Sequence, residues 1–72
     1  MTETVTLQAD FIRLDALLKL SGAVGTGGQA KLLIQGGGVA VNGEICTMRG
    51  KKLCAGDTVT IIGEKREISV AD

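Results

Sequence analysis

The chain reads as an α+β domain: two short packed helices, then a β-hairpin and further short antiparallel strands. Three observations predict this. Apolar residues recur at helical spacing in two runs between residues 11 and 35. Val39-Ala40-Val41 leads into Asn42-Gly43, a strong hairpin signal. Beyond it, short β-branched runs alternate with glycine-containing turns to the end of the chain.

The elements follow in order. Val5, Leu7 and Ala9 alternate with polar neighbours, which predicts a strand over Thr4 to Ala9. Asp10 stands as the expected N-cap of a first helix, Phe11 to Leu20. Its apolar stripe is Phe11, Leu14, Leu17 and Leu18, and Gly22 is its expected stop. The glycine-rich GAVGTGG that follows lacks the Gly-Lys-Ser/Thr of a phosphate-binding loop, and a helix rather than a strand precedes it. It reads as a tight connection between helices.

Thr26 and Gln29 match a capping box, so the second helix is expected over Gly27 to Gln35. Ala30, Leu33 and Ile34 form its buried stripe, to pack on Leu14, Leu17 and Leu18. Lys31 and Gln35, four apart, share an outward face. Leu32 falls away from the stripe, either meeting another element or standing exposed. Gly36-Gly37-Gly38 ends the helix. Val39 to Val41 and Glu44 to Thr47 make the hairpin; its register stays open, a two-residue turn being the case that pairs Val41 with Glu44 and leaves Ile45 on the opposite face. Further strands are expected at Thr58 to Ile62 and Lys65 to Val70, with Ile68 and Val70 facing one way.

A chain of 72 residues allows one domain, and at this size folding buries only about 60% of the surface of the unfolded chain. There is no His, Trp or Tyr. Acid–base chemistry would fall on carboxylates or lysine, and no paired carboxylates flank a candidate nucleophile, so an enzyme is not expected. Cys46 and Cys54 are too few for a metal cage and lack C-x-x-C spacing; they are expected to be buried, reduced thiols. Neither cofactor nor metal is expected. No apolar run approaches the roughly 20 residues that cross a bilayer. Without a basic stretch and apolar core at the N-terminus, the expected compartment is the cytosol.

Net charge is zero, yet its distribution is uneven: residues 13–52 hold six basic and two acidic side chains. Arg49, Lys51 and Lys52 crowd around Gly50 with no acidic residue between them. A neutral chain can therefore still present one basic side.

Taken together, Arg13-Leu14-Asp15, Ala30, Leu33-Ile34, Gly36, Val39, Val41-Asn42-Gly43 and Gly56-Asp57 resemble the S-four RNA-binding domain, named after the fourth protein of the small ribosomal subunit. The resemblance covers about residues 10–62. TGGQAK with RGKKL looks like a subgroup of very small, free-standing bacterial members. It implies the alpha-L RNA-binding motif, two helices on a small sheet, in one domain over residues 1–72. It also implies binding of structured ribosomal or transfer RNA, in ribosome assembly or translation, alongside the ribosome or a larger RNA-processing partner; separately, a monomer is expected. Carried over by motif position, the RNA-binding residues are Arg13, Gln29, Lys31, Gln35, Arg49, Lys51 and Lys52. This chain has Gly27-Gly28 where many members have Ser-Arg, and Ala40 where a basic residue is common, so fewer phosphate contacts are expected. With Phe11 its one aromatic residue, stacking on single strands is not the expected mode. The alternative class is a protein-interaction module without RNA binding, built on Leu32, the glycines and a strand edge.

Overall fold

The computed structural model describes residues 2–72. Strand β1 (Thr2–Thr6) is followed by a two-residue strand β2 (Ile12–Arg13), helix α1 (Leu14–Leu20) and helix α2 (Gly27–Gln35). Strands β3 (Val39–Val41), β4 (Glu44–Ile45), β5 (Lys52–Leu53) and β6 (Thr58–Ile61) come next. A 3-10 turn (Ile62–Glu64) then leads into β7 (Arg66–Ala71). The main sheet has the order β1-β7-β6-β3-β4, and β2 and β5 form a separate antiparallel pair. The expected α+β architecture is present. Pairing within β7-β6-β3-β4 is antiparallel, whereas β1 joins β7 in parallel, Val5 opposite Val70. A parallel neighbour needs a long crossover, and here most of the chain supplies it.

Both helices cover one face of the sheet. Leu14, Leu17 and Leu18 of α1 and Ala30 and Ile34 of α2 are buried against Val39, Val41, Val59, Ile61, Ile68 and Val70. The strand residues follow the period-two rule, alternate side chains meeting the helices. Paired residues share a face, so Ala40 opposite Ile45 and Thr60 lies on the far side. Ile45 is exposed there, as the two-residue turn predicts.

Thr26 caps α2: its hydroxyl accepts the Gln29 N–H at 3.1 Å, and Gln29 Oε1 accepts the Gly25 N–H at 2.7 Å. At the other end, Gly37 takes φ +81°, and a Cβ on Gly38 would lie 2.7 Å from Leu33 Cδ1. The glycine run therefore lets the chain turn back under its own helix.

The first helix begins later than its pattern suggests. Asp10 is not its N-cap, and Phe11 and Ile12 are not in it; Arg13 holds the N-cap position with no side-chain cap bond. Ile12 and Arg13 instead pair with Leu53 and Lys52. The N–H groups of Leu14 and Asp15 donate to the carbonyls of Lys51 (2.9 Å) and Arg49 (3.1 Å). Backbone from a distant loop thus satisfies donors that a side chain normally caps. Other expectations shift: the hairpin's return strand stops at Ile45 and the last strand runs from Arg66 to Ala71. The first strand stops at Thr6, although Leu7 N–H still donates to the Ala71 carbonyl at 2.7 Å. The sixth ends at Ile61, where the 3-10 turn begins. Neither cysteine is buried: Cys46 is half-buried and Cys54 exposed, and both are free thiols.

Two polar clamps hold the sheet. Glu3 and Arg66 lie on the helix-facing side, where the Arg66 guanidinium donates two bonds of 2.7 Å to Glu3 and one of 3.1 Å to the Ser21 carbonyl at the end of α1. The Arg66 hydrogen bonds hold the Glu3 carboxyl below its usual range and push the Arg66 pKa up. The second clamp joins the hairpin to the 54–57 turn. Asn42, at φ 51°, and Gly43, at φ 87°, make the left-handed turn. Asn42 Oδ1 accepts the Thr58 N–H at 2.9 Å, and Asn42 Nδ2 donates to Asp57 Oδ1 at 3.1 Å. Asp57 Oδ2 accepts the Cys54 N–H at 2.8 Å. That backbone bond first, then Asn42, holds the Asp57 carboxyl below the ordinary carboxylate range.

Candidate functional site

The β2–β5 pair builds the site. Arg13 lies directly opposite Lys52, and the loop between β4 and β5 carries Arg49 and Lys51 to the first turn of α1. The Arg13 guanidinium rests over Gly50, its Nη2 3.6 Å from where a Cβ on that glycine would stand. One of its nitrogens donates to Asp15 Oδ2 at 3.2 Å. Lys52 Nζ sits 4.9 Å from the centre of the Phe11 ring. All four basic residues are exposed. Four of the seven residues singled out from the sequence are therefore brought together by one strand pair and one loop.

The other three lie on α2. Lys31 and Gln35 are exposed, as their spacing predicts. Gln29 is exposed too, but its side-chain oxygen is occupied by the Gly25 N–H, so its first task is to close the cap. These three connect to the basic loop through α1, on which α2 packs, and share no strand or turn with it. Gly27 and Gly28 leave the start of α2 bare: an added Cβ would meet nothing within 4 Å at Gly27 and only the Thr26 hydroxyl at 3.9 Å at Gly28. Leu32 is 76% exposed, so none of the described elements covers it.

Two features were given no role from the sequence, although Asp15 stood in the Arg13-Leu14-Asp15 match. Asp15 is half-buried, its Oδ1 accepting the Ala16 N–H at 2.8 Å while its Oδ2 takes the Arg13 bond. An arginine followed two residues later by an aspartate was the available signal. Beside the loop, an open groove of about 480 Å³ is lined by residues including Val41, Ile45, Met48 and Lys51. Ile45 and Met48, exposed by 56% and 66%, give it an apolar wall that no periodicity announced.

A helix pair on a small mixed sheet, with a basic loop tied to the first turn of one helix, defines a compact α+β domain with an open cationic edge. The chain belongs to the S4 domain family, whose model matches residues 5–70. It is also similar to the probable ribosome maturation protein RlbA of Bacillus subtilis (strain 168), 36% identical over 63 residues, which are 88% of this chain and 89% of that one. Among the described residues no helix is long and apolar enough to cross a membrane.

Proposed function

We propose that this protein binds structured RNA, ribosomal RNA first, without catalysis, and acts in ribosome maturation in the cytoplasm. The observation that carries the reading is the cross-strand placement of Arg13 against Lys52, with Arg49 and Lys51 in the adjoining loop. Four exposed cations carried by one strand pair and its adjoining loop suit the phosphates of a folded RNA. Lys31 and Gln35, with the bare start of α2, extend the surface. The relative named for ribosome maturation supports the choice of ribosomal RNA. Phe11 is engaged by Lys52, so recognition runs through backbone and shape rather than through stacked bases.

The test is binding to purified bacterial ribosomal RNA, with transfer RNA and a single-stranded homopolymer for comparison, across a salt series. Four phosphate contacts would weaken binding about a hundredfold between roughly 50 and 200 mM salt. The triple variant Arg49→Ala/Lys51→Ala/Lys52→Ala should flatten that slope. No detectable binding to structured RNA at low salt would defeat the reading and favour the protein-interaction module, for which the exposure of Leu32 speaks.

A further inference from the structure

We infer that Asp15 and Gly50 are positioning residues that hold the Arg13 guanidinium ready for a phosphate; the inference rests on the RNA-binding reading above. Asp15 is a fixed point. Its backbone N–H donates to the Arg49 carbonyl at 3.1 Å, and its Oδ1 accepts the Ala16 N–H at 2.8 Å. Its side chain is 21% exposed, against 56% for Arg13. The carboxylate is therefore anchored in the helix turn, while the guanidinium it holds at 3.2 Å faces solvent. Gly50 supplies the floor: its missing side chain lets the guanidinium lie across the loop, with Cζ and Nε both 3.9 Å from the absent Cβ. Among the described residues Asp15 is the one hydrogen-bonding partner of the Arg13 guanidinium. The remaining donors of the fork stay available for phosphate oxygens.

The consequence has a diagnostic sign. As a bare charge, Asp15 opposes RNA, and its removal should tighten binding. As a positioning group it spares Arg13 the loss of rotamer freedom on binding, and its removal should weaken binding. Asp15→Asn leaves an oxygen for the Ala16 N–H and makes the protein more positive. Gly50→Val changes no charge but pushes branched methyls into the space of the guanidinium; Gly50 lies outside the left-handed region, so a side chain is compatible with its backbone.

Binding to purified bacterial ribosomal RNA is measured for wild type, Asp15→Asn, Gly50→Val, Arg13→Ala and the two doubles with Arg13→Ala, with thermal melts to confirm folding. Asp15→Asn and Gly50→Val are each expected to weaken binding about three- to tenfold, as Arg13→Ala does. Neither should weaken it further once Arg13 is gone, whereas a general structural defect would persist in the doubles. Should Asp15→Asn fail to fold, Gly50→Val carries the same comparison. Unchanged or tighter binding by a folded Asp15→Asn, with Arg13→Ala impaired, would overturn the positioning role while leaving RNA binding intact. If neither Arg13→Ala nor the loop triple variant weakened binding, the surface itself would be wrong, and the positioning role would fall with it.

Discussion

Replacing Asp57 tests whether the hairpin and the turn before β6 are one unit. In Asp57→Asn the single remaining carbonyl oxygen can serve either the Cys54 N–H or Asn42 Nδ2, and the new amide donor then faces the other donor. Asn42 cannot flip to relieve this, because its own oxygen is held by the Thr58 N–H at 2.9 Å. A hydrogen bond to a charged acceptor contributes about 1.5–3 kcal/mol, and the half-exposed setting of Asp57 argues for the low end. The expected loss is about 1.5 kcal/mol for Asp57→Asn and about 2–3 kcal/mol for Asp57→Ala. That is a large share of the roughly 3–5 kcal/mol open to a core this small. With neither Trp nor Tyr in the chain, urea unfolding is followed by far-ultraviolet circular dichroism. At about 1 kcal/mol per molar urea, the Asn midpoint moves by about 1.5 M. The acid limb adds a second check. The folded pKa of Asp57 is depressed, so its stabilisation is present above the ordinary value of 3.8 and is lost as pH falls through the lower folded value. The gap between wild type and Asp57→Asn should therefore narrow below that value. A midpoint shift under about 0.3 M at neutral pH, or a gap that stays constant into acid, would refute the clamp.

Glu3→Gln should lower the melting temperature at neutral pH, and the difference should close in acid, because the folded Glu3 pKa is depressed below the ordinary 4.5 by Arg66. Gly27→Ala should stabilise by up to about 0.5–1 kcal/mol in urea unfolding, since a Cβ there meets nothing within 4 Å and the helix gains propensity. Gly38→Ala should destabilise by about 1–3 kcal/mol in the same measurement, because its Cβ would lie 2.7 Å from Leu33 Cδ1 and 3.1 Å from the Leu33 carbonyl oxygen.

What the sequence made legible was local. Thr26 and Gln29 announced α2 to the residue, and Asn42-Gly43 announced the hairpin, whose register, Val41 opposite Glu44, is that of the two-residue turn. What it hid depended on partners far along the chain. Phe11 and Ile12 fit a helical stripe, and only pairing with Lys52 and Leu53 draws Ile12 and Arg13 into a strand. The parallel seat of β1 beside β7 joins the two ends of the chain, which no local pattern encodes. The same holds for the site. Charge counting found Arg49, Lys51 and Lys52, but only motif resemblance joined Arg13 to them. The bond from Asn42 to Asp57 explains physically why V-N-G and a later G-D occur together: one fastens the other.

The basic loop does two jobs with different atoms, and this separates fold from function. Its backbone carbonyls at Arg49 and Lys51 receive the first N–H groups of α1, while its side chains point to solvent. Removing those side chains leaves the capping carbonyls in place. Arg49→Ala/Lys51→Ala/Lys52→Ala should therefore stay within about 1 kcal/mol of wild-type stability, the cation–π contact of Lys52 with Phe11 contributing about 0.5–1 kcal/mol of that at an exposed site. Amide exchange of Leu14 and Asp15 should remain protected in the triple variant, because their acceptors are backbone. Loss of that protection together with RNA affinity would mean that the side chains hold the loop in place, and weakened RNA binding in this variant would then report a disordered helix start rather than missing phosphate contacts.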